Sequence, residues 1–294
     1  MGDYEPMASV LKPDEELTWN CVCGKKRIEV KRYWLLNIIA AVLHGVNALL
    51  MVIFYYANDK HDQLYDITMN YASWEEIPDS DNWNIVQKEV VAIEDLSLNW
   101  LVFTFHILSF IFQLAVLIPQ YHYTERITEE GRNPMRFAEY SLSASLMLVC
   151  IALLCGVRDI IILLAIVVLT AITQILGAVA EYMLPGTKRA FAHFIAWDCI
   201  CAAYGIILAY YFVALNMSDI SPPQYVTMII IFQAQLFLSF GFVQLFQFYG
   251  QSWWLVGAIG RQAEISYCVL SLVAKTLLGW MIYVNVIVNA DNQL

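Results

Sequence analysis

The chain has 294 residues, 60% of them hydrophobic and only 14% charged, with a formal net charge of −10. That is more apolar surface than a soluble domain of this length can enclose, so the excess must face lipid, where each crossing segment must be helical because hydrocarbon cannot satisfy a free backbone amide. The acidic balance leaves no basic patch to meet phosphates and excludes a nucleic-acid partner, and no phosphate loop, nucleophile elbow or metal-ligand spacing points to an enzyme.

Residues 1–33 read as an N-terminal segment, acidic and then basic, without the apolar stretch of a cleavable signal. Cys21 and Cys23 lack a second ligand pair, so no metal site is expected. Seven spans are predicted near 34–56, 98–120, 135–156, 159–183, 191–215, 226–249 and 265–288, separated by turn chemistry such as Asn133-Pro134, Arg158-Asp159 and Pro185-Gly186. The fold class is therefore all-α, a seven-helix membrane domain over 34–288 with a short tail, 289–294. Between the first two spans, loop 57–97 is too long for a simple connector, and the partial alternation of Tyr65, Ile67, Met69, Tyr71 and Trp74 suits a small β-hairpin lid, with a disordered acidic loop as the alternative.

Basic residues fix the expected orientation. Lys25, Lys26, Arg27, Lys31 and Arg32 precede span one, and Arg132, Arg136, Lys188 and Arg189 fall on the same side by alternation, against Lys60, Lys88 and Arg158 on the other. The positive-inside rule puts the N-terminus in the cytoplasm and the tail and loop 57–97 outside. No cysteine lies in an exterior loop, so no structural disulfide is implied.

A charge near the middle of a span costs several kcal/mol and marks a functional candidate. Glu139, Asp198 and Lys275 qualify, whereas Asp159 and Glu181 lie near span ends. Lys275 sits deep in span seven, where burial favours the neutral amine that condenses with an aldehyde to a Schiff base. From burial alone, such a lysine and one salt-bridged inside a transporter stand level. Glu139 shares a helical face with Ser143, and Tyr140 adjoins it; a carboxylate with nearby hydroxyls would serve a protonated Schiff base as counterion. Glu139 follows Pro134 closely, however, so its pairing with Lys275 does not follow from depth. His106, Ser109 and Gln113 form a polar stripe on span two, as do His44 and Asn47 on span one, facing either a hydrated cavity or interhelical hydrogen bonds. Trp197, Tyr204, Phe237, Phe240 and Trp280 are candidates to line an apolar slot for a polyene.

The run Arg136-Phe137-Ala138-Glu139-Tyr140-Ser141-Leu142-Ser143-Ala144-Ser145, with Cys155-Gly156-Val157-Arg158-Asp159-Ile160, resembles the third and fourth helices of heliorhodopsins. Val269-Leu270-Ser271-Leu272-Val273-Ala274-Lys275 with Trp280 is similar to that family's seventh helix, and Phe240-Gly241-Phe242-Val243-Gln244 to its sixth. The resemblance implies all-trans retinal on Lys275 as a Schiff base, Glu139 as counterion, Ser109 and Ser271 as nearby hydrogen-bonding groups, Phe237 against the polyene and His44 in a cavity. It also implies a cytoplasmic N-terminus, a homodimer and an exterior hairpin. The family's second cavity histidine falls on Gln113 and a serine near the counterion on Ala144, which leaves His106 and Asp198 as substitute proton acceptors. The resemblance implies light sensing rather than pumping, and Glu139 as the only acid in span three fits that expectation. Light-gated proton transport, as in some viral members, is the alternative, and a seven-helix transporter without a chromophore is a third.

Overall fold

The computed structural model describes residues 15–57, 63–78, 82–117, 132–217, 222–249 and 259–288, with side chains omitted for 15–32, 259–262 and 287–288. The expected tail 289–294, positions 118–120 and the side chains of Cys21 and Cys23 lie outside the described residues. Helix α1 runs over Glu15–Ala57, followed by strands β1 (Leu64–Glu76) and β2 (Trp83–Ser97), then α2 (Leu98–Leu117), α3 (Pro134–Leu154), α4 (Ile160–Tyr182), α5 (Thr187–Met217), α6 (Gln224–Tyr249) and α7 (Ile259–Ile282), which ends in a π-helical turn, Tyr283–Val288. Seven of these helices contain segments long and apolar enough to cross a membrane. The first such segment, Tyr33–Ala57, is the distal part of α1, so the helix passes without a break through the expected boundary at residue 33.

Sequence-adjacent helices pack side by side from α1 to α2 and from α2 through α5, and α7 packs against both α6 and α1, closing the bundle. The middle of α3, from Met147 to Leu153, is buried throughout, which makes α3 the enclosed helix while its neighbours keep wide lipid-facing stripes. Its start is fixed locally: Asn133 accepts the Arg136 amide at 3.2 Å, and Pro134 occupies the first turn, where its missing N–H costs nothing.

The hairpin pairs antiparallel from Leu64↔Ser97 to Glu76↔Trp83, with a bulge near its base. There Asp95 adopts a positive φ of 52°, a conformation Asp tolerates, and its amide donates to the Asp66 carboxylate at 3.1 Å. Only the base serves as a lid. Tyr65 and Ile67 are buried, the Arg158 guanidinium lies 3.9 Å from the centroid of the Tyr65 ring, and the Thr68 amide donates to the Arg158 carbonyl at 2.9 Å. Burial pushes the Tyr65 hydroxyl up to about 12. The distal half projects, leaving Trp74 and Trp83 65% and 63% exposed.

Asp159 joins the two parts. Its carboxylate caps α4 by accepting from the Ile161 and Ile162 amides at 2.8 and 3.2 Å, and it accepts from the Asn70 backbone and side chain at 3.2 and 3.0 Å. Partial burial works to raise its carboxyl, but these hydrogen bonds prevail and hold it below the usual value. With the folded pKa depressed, the clasp stabilises the protein above the ordinary carboxylate range and is lost as pH falls through the lowered value. Replacing Asp159 by Ala is expected to cost about 1 kcal/mol of stability and to speed hydrogen exchange at the Thr68 and Asn70 amides; unchanged exchange there would refute the clasp.

Candidate chromophore site

Lys275 and Glu139 meet in the bundle interior, 3% and 4% exposed. The Lys275 ammonium Nζ donates to Glu139 Oε1 at 2.6 Å and to Ser271 Oγ, one helical turn earlier on α7, at 2.7 Å. It stands 5.0 Å from the centroid of the Tyr140 ring, whose hydroxyl donates to the Tyr267 carbonyl at 3.0 Å. In a low-dielectric interior such a pair holds only because both ions find partners; removing one leaves the other uncompensated at about 3–5 kcal/mol.

From this pair a cavity of about 90 Å³ extends between α3, α4, α5 and α6. Tyr140, Ser143, Phe237, Phe240 and Trp197 line it, and Lys275 opens into it. The walls are aromatic on both sides, and Gly241 lets Trp197 lie against the α6 backbone, since a Cβ there would come within 2.6 Å of the indole. The Ser143 hydroxyl is buried and has no hydrogen-bond partner. A largely apolar slot with aromatic lining, reached by a lysine amine, suits an apolar aldehyde.

The remaining candidates are distributed differently from the polar stripes read in the sequence. Ser109 is buried, but its hydroxyl donates to the Phe105 carbonyl of its own helix at 3.1 Å. Trp280 lies outside the slot: its indole donates to Asn47 Oδ1 at 3.2 Å, and Asn47 donates to Thr276 at 3.1 Å. Tyr204 stands behind Phe237, the rings edge to face at 5.8 Å. His44 and His106 form a buried pair, Nδ1 to Nδ1 at 3.2 Å, and among the described residues neither Nε2 has a partner. Gln113 is elsewhere, lining a small cavity of about 20 Å³ with Glu139, Glu264 and Asn133. Asp198 is exposed on the outer face of α5 and joins none of these groups.

Two buried clusters escaped the sequence reading. The Arg136 guanidinium bridges Glu264 of α7 and Glu181 of α4, stacked 3.9 Å from the centroid of the Tyr267 ring. Asn133 donates to both carboxylates, by its amide to Glu181 at 3.2 Å and by its side chain to Glu264 at 3.0 Å; the Tyr33 hydroxyl also donates to Glu264, at 3.2 Å. The signal was the spacing of Arg136 and Glu139, one turn apart on a helix that proves to be enclosed. In the second cluster, Trp197 Nε1 donates to His193 Nε2 at 3.0 Å, His193 Nδ1 meets Gln244 Oε1 at 3.0 Å, and Gln244 Nε2 donates to the Gly177 carbonyl at 3.0 Å.

Comparison with known proteins places this geometry. The transmembrane domain with linker of a rhodopsin phosphodiesterase from Salpingoeca rosetta is similar in fold with a TM-score of 0.61 at 16% identity, over 92% of this chain and 76% of that one. The transmembrane domain of the same protein gives 0.58 at 14% identity, over 95% of each chain. A cyanorhodopsin from the cyanobacterium Tolypothrix sp. NIES-4075 gives 0.54 at 13% identity, over 88% of this chain and 93% of that one. At these identities the likeness speaks for the fold alone. No curated protein matches the sequence. The sequence profile of heliorhodopsins matches residues 33–287, nearly the whole of the chain, and the protein belongs to the heliorhodopsin family.

Proposed function

We propose that this chain is a light receptor that carries all-trans retinal on Lys275, with Glu139 as counterion, and that it senses light rather than pumping ions. The observation behind this reading is the Lys275 amine, 2.6 Å from a buried carboxylate at one end of an aromatic slot. When bound, retinal supplies visible absorption and a double bond that isomerises in light. The protein supplies the rest. Glu139 stabilises positive charge at the lysine nitrogen, and Ser271 accepts a hydrogen bond from it. Trp197 and Phe237 exclude water from the slot. Glu139 is the only acid in α3, so that helix offers no second carboxylate to pass a proton onward. The His44–His106 pair would take a proton leaving the lysine nitrogen: one Nδ1–H donates to the other Nδ1, and each unpartnered Nε2 is a point where a proton can be gained or lost. By the basic residues, the N-terminus is cytoplasmic and the hairpin exterior, and the family resemblance supports a homodimer.

Reconstituted with all-trans retinal, the chain should form a visible pigment that hydroxylamine bleaches in light. A Lys275→Ala variant that still absorbs in the visible would sink the assignment. Glu139→Gln should move the band strongly to the red, because removing the anion lowers the energy needed to shift positive charge away from the nitrogen; an unmoved band means another counterion. In 15N-histidine protein, light-induced infrared difference bands of the imidazole ring should appear and should disappear in His106→Asn. Their absence in the unsubstituted protein would take the pair out of the proton path.

Light-gated proton transport is the second reading, favoured by the cavity between Glu139 and Glu264. At about 20 Å³ it has room for one water, and the buried Gln113 Oε1 beside it has no partner. Light-evoked current under voltage clamp distinguishes the two: a steady current establishes transport, and its absence from a fully pigmented membrane leaves sensing.

A further inference from the structure

At the bundle end opposite the hairpin, a groove of about 500 Å³ runs between α3 and α4, and among the described residues nothing fills it. Its floor is small, with Ala138, Ser141 and Ala178; its walls are Ile175, Val179 and Tyr182. The Ser141 hydroxyl donates to the Ala138 carbonyl at 2.9 Å, so the floor offers no free donor to water. An apolar concavity on a lipid-facing surface suits a flexible hydrocarbon chain.

Two guanidinium groups adjoin the groove through residues that line it, Tyr182 and Met183. The Arg132 guanidinium stacks on Tyr182, 5.2 Å from its ring centroid. Arg189 donates through Nε to the Met183 carbonyl at 2.9 Å and stacks on Phe248 at 4.8 Å, and Tyr182 and Met183 both line the groove. Among the described residues each guanidinium keeps N–H groups without an acceptor, and the two like charges repel one another. The nearby Glu181 is committed to Arg136. An anion between Arg132 and Arg189 would relieve their repulsion, and planar guanidinium forks match phosphate oxygens.

We propose that this groove binds one anionic phospholipid, its acyl chain along Ala138 and Ala178 and its phosphate between Arg132 and Arg189. The site adjoins the chromophore slot through a single side chain. Phe137 lines both, held against the α4 backbone at Gly177, where a Cβ would fall 2.8 Å from the ring. Lipid against Phe137 therefore bears on a ring that also bounds the slot and stacks on the Arg136 guanidinium. Binding is independent of the retinal reading; only its effect on absorption rests on it.

The test is native mass spectrometry of the full chain, released from nanodiscs of phosphatidylcholine and phosphatidylglycerol, with melting curves to establish folding. One phosphatidylglycerol per protomer should be retained, with a preference of about tenfold or more over phosphatidylcholine. Filling the groove by Ala178→Phe, or independently from α3 by Ser141→Leu, should abolish retention, while Arg132→Gln should keep a lipid and lose the preference. Equal retention of the two lipids by the unsubstituted chain, or retention undiminished in both filled variants, would overturn the proposal. So would a filled groove that changes only the oligomeric mass, which would make this face an interface between copies. In the pigment, phosphatidylglycerol should shift the absorption band and Ala178→Phe should remove that shift; lipid retention without a pigment would instead count against the retinal reading.

Discussion

Arg136 and Glu139, opposite charges one turn apart on α3, organise the bundle. Hydrocarbon offers neither water nor counterions, so each ion must be met by a side chain from another helix or not be there at all. Arg136 is met by Glu181 of α4 and Glu264 of α7, and Glu139 by Lys275 of α7. Both ion clusters thus fix the rotation and depth of α7 against α3, and the upper one draws in α4 and, through Tyr33, α1. Apolar packing alone would leave these helices free to slide, since lipid tails are as apolar as leucine.

The same arrangement separates two environments. One side of the Lys275–Glu139 pair leads to the aromatic slot, whose few polar groups include the Ser143 hydroxyl. The other sides lead to polar pockets: Gln113 and the Arg136 cluster toward one end of the bundle, and the His44–His106 pair between α1 and α2. The Lys275 nitrogen therefore stands between the slot and the Glu139 carboxylate, with these polar pockets beyond them.

Much of this was legible in the sequence. Seven apolar runs gave the helices, the alternation after residue 64 gave the hairpin, and the cost of burying a lysine singled out Lys275. Depth was not legible. Glu139 looked shallow because hydropathy counts from Pro134 as though that residue met the membrane surface. Asn133 and Arg136 are in fact buried by carboxylates from two other helices, so the interior begins before the hydrocarbon pattern does. Glu181 read as a span-end charge for the same reason, and Glu264 drew no notice because it just precedes the predicted span 265–288. The stripe on α2 divides by depth: His106 and Gln113 share a face about two turns apart, so that His106 meets His44 of α1 while Gln113 lines the cavity beside Glu139. Asp198 fell on the outer face, since the pattern of α5 does not say which side turns inward.

The hydrogen-bond chain at the far wall of the slot has a direction. An indole N–H can only donate, so His193 must accept at Nε2, carry its proton on Nδ1 and pass the bond through Gln244 to the Gly177 carbonyl. Every dipole in the row points the same way, and reversing any one would set two donors or two acceptors face to face. A second proton on His193 would do just that against Trp197. The wall is thus an oriented row of neutral groups set against the ion pair at the lysine end, which gives the slot one dipolar pole and one charged one.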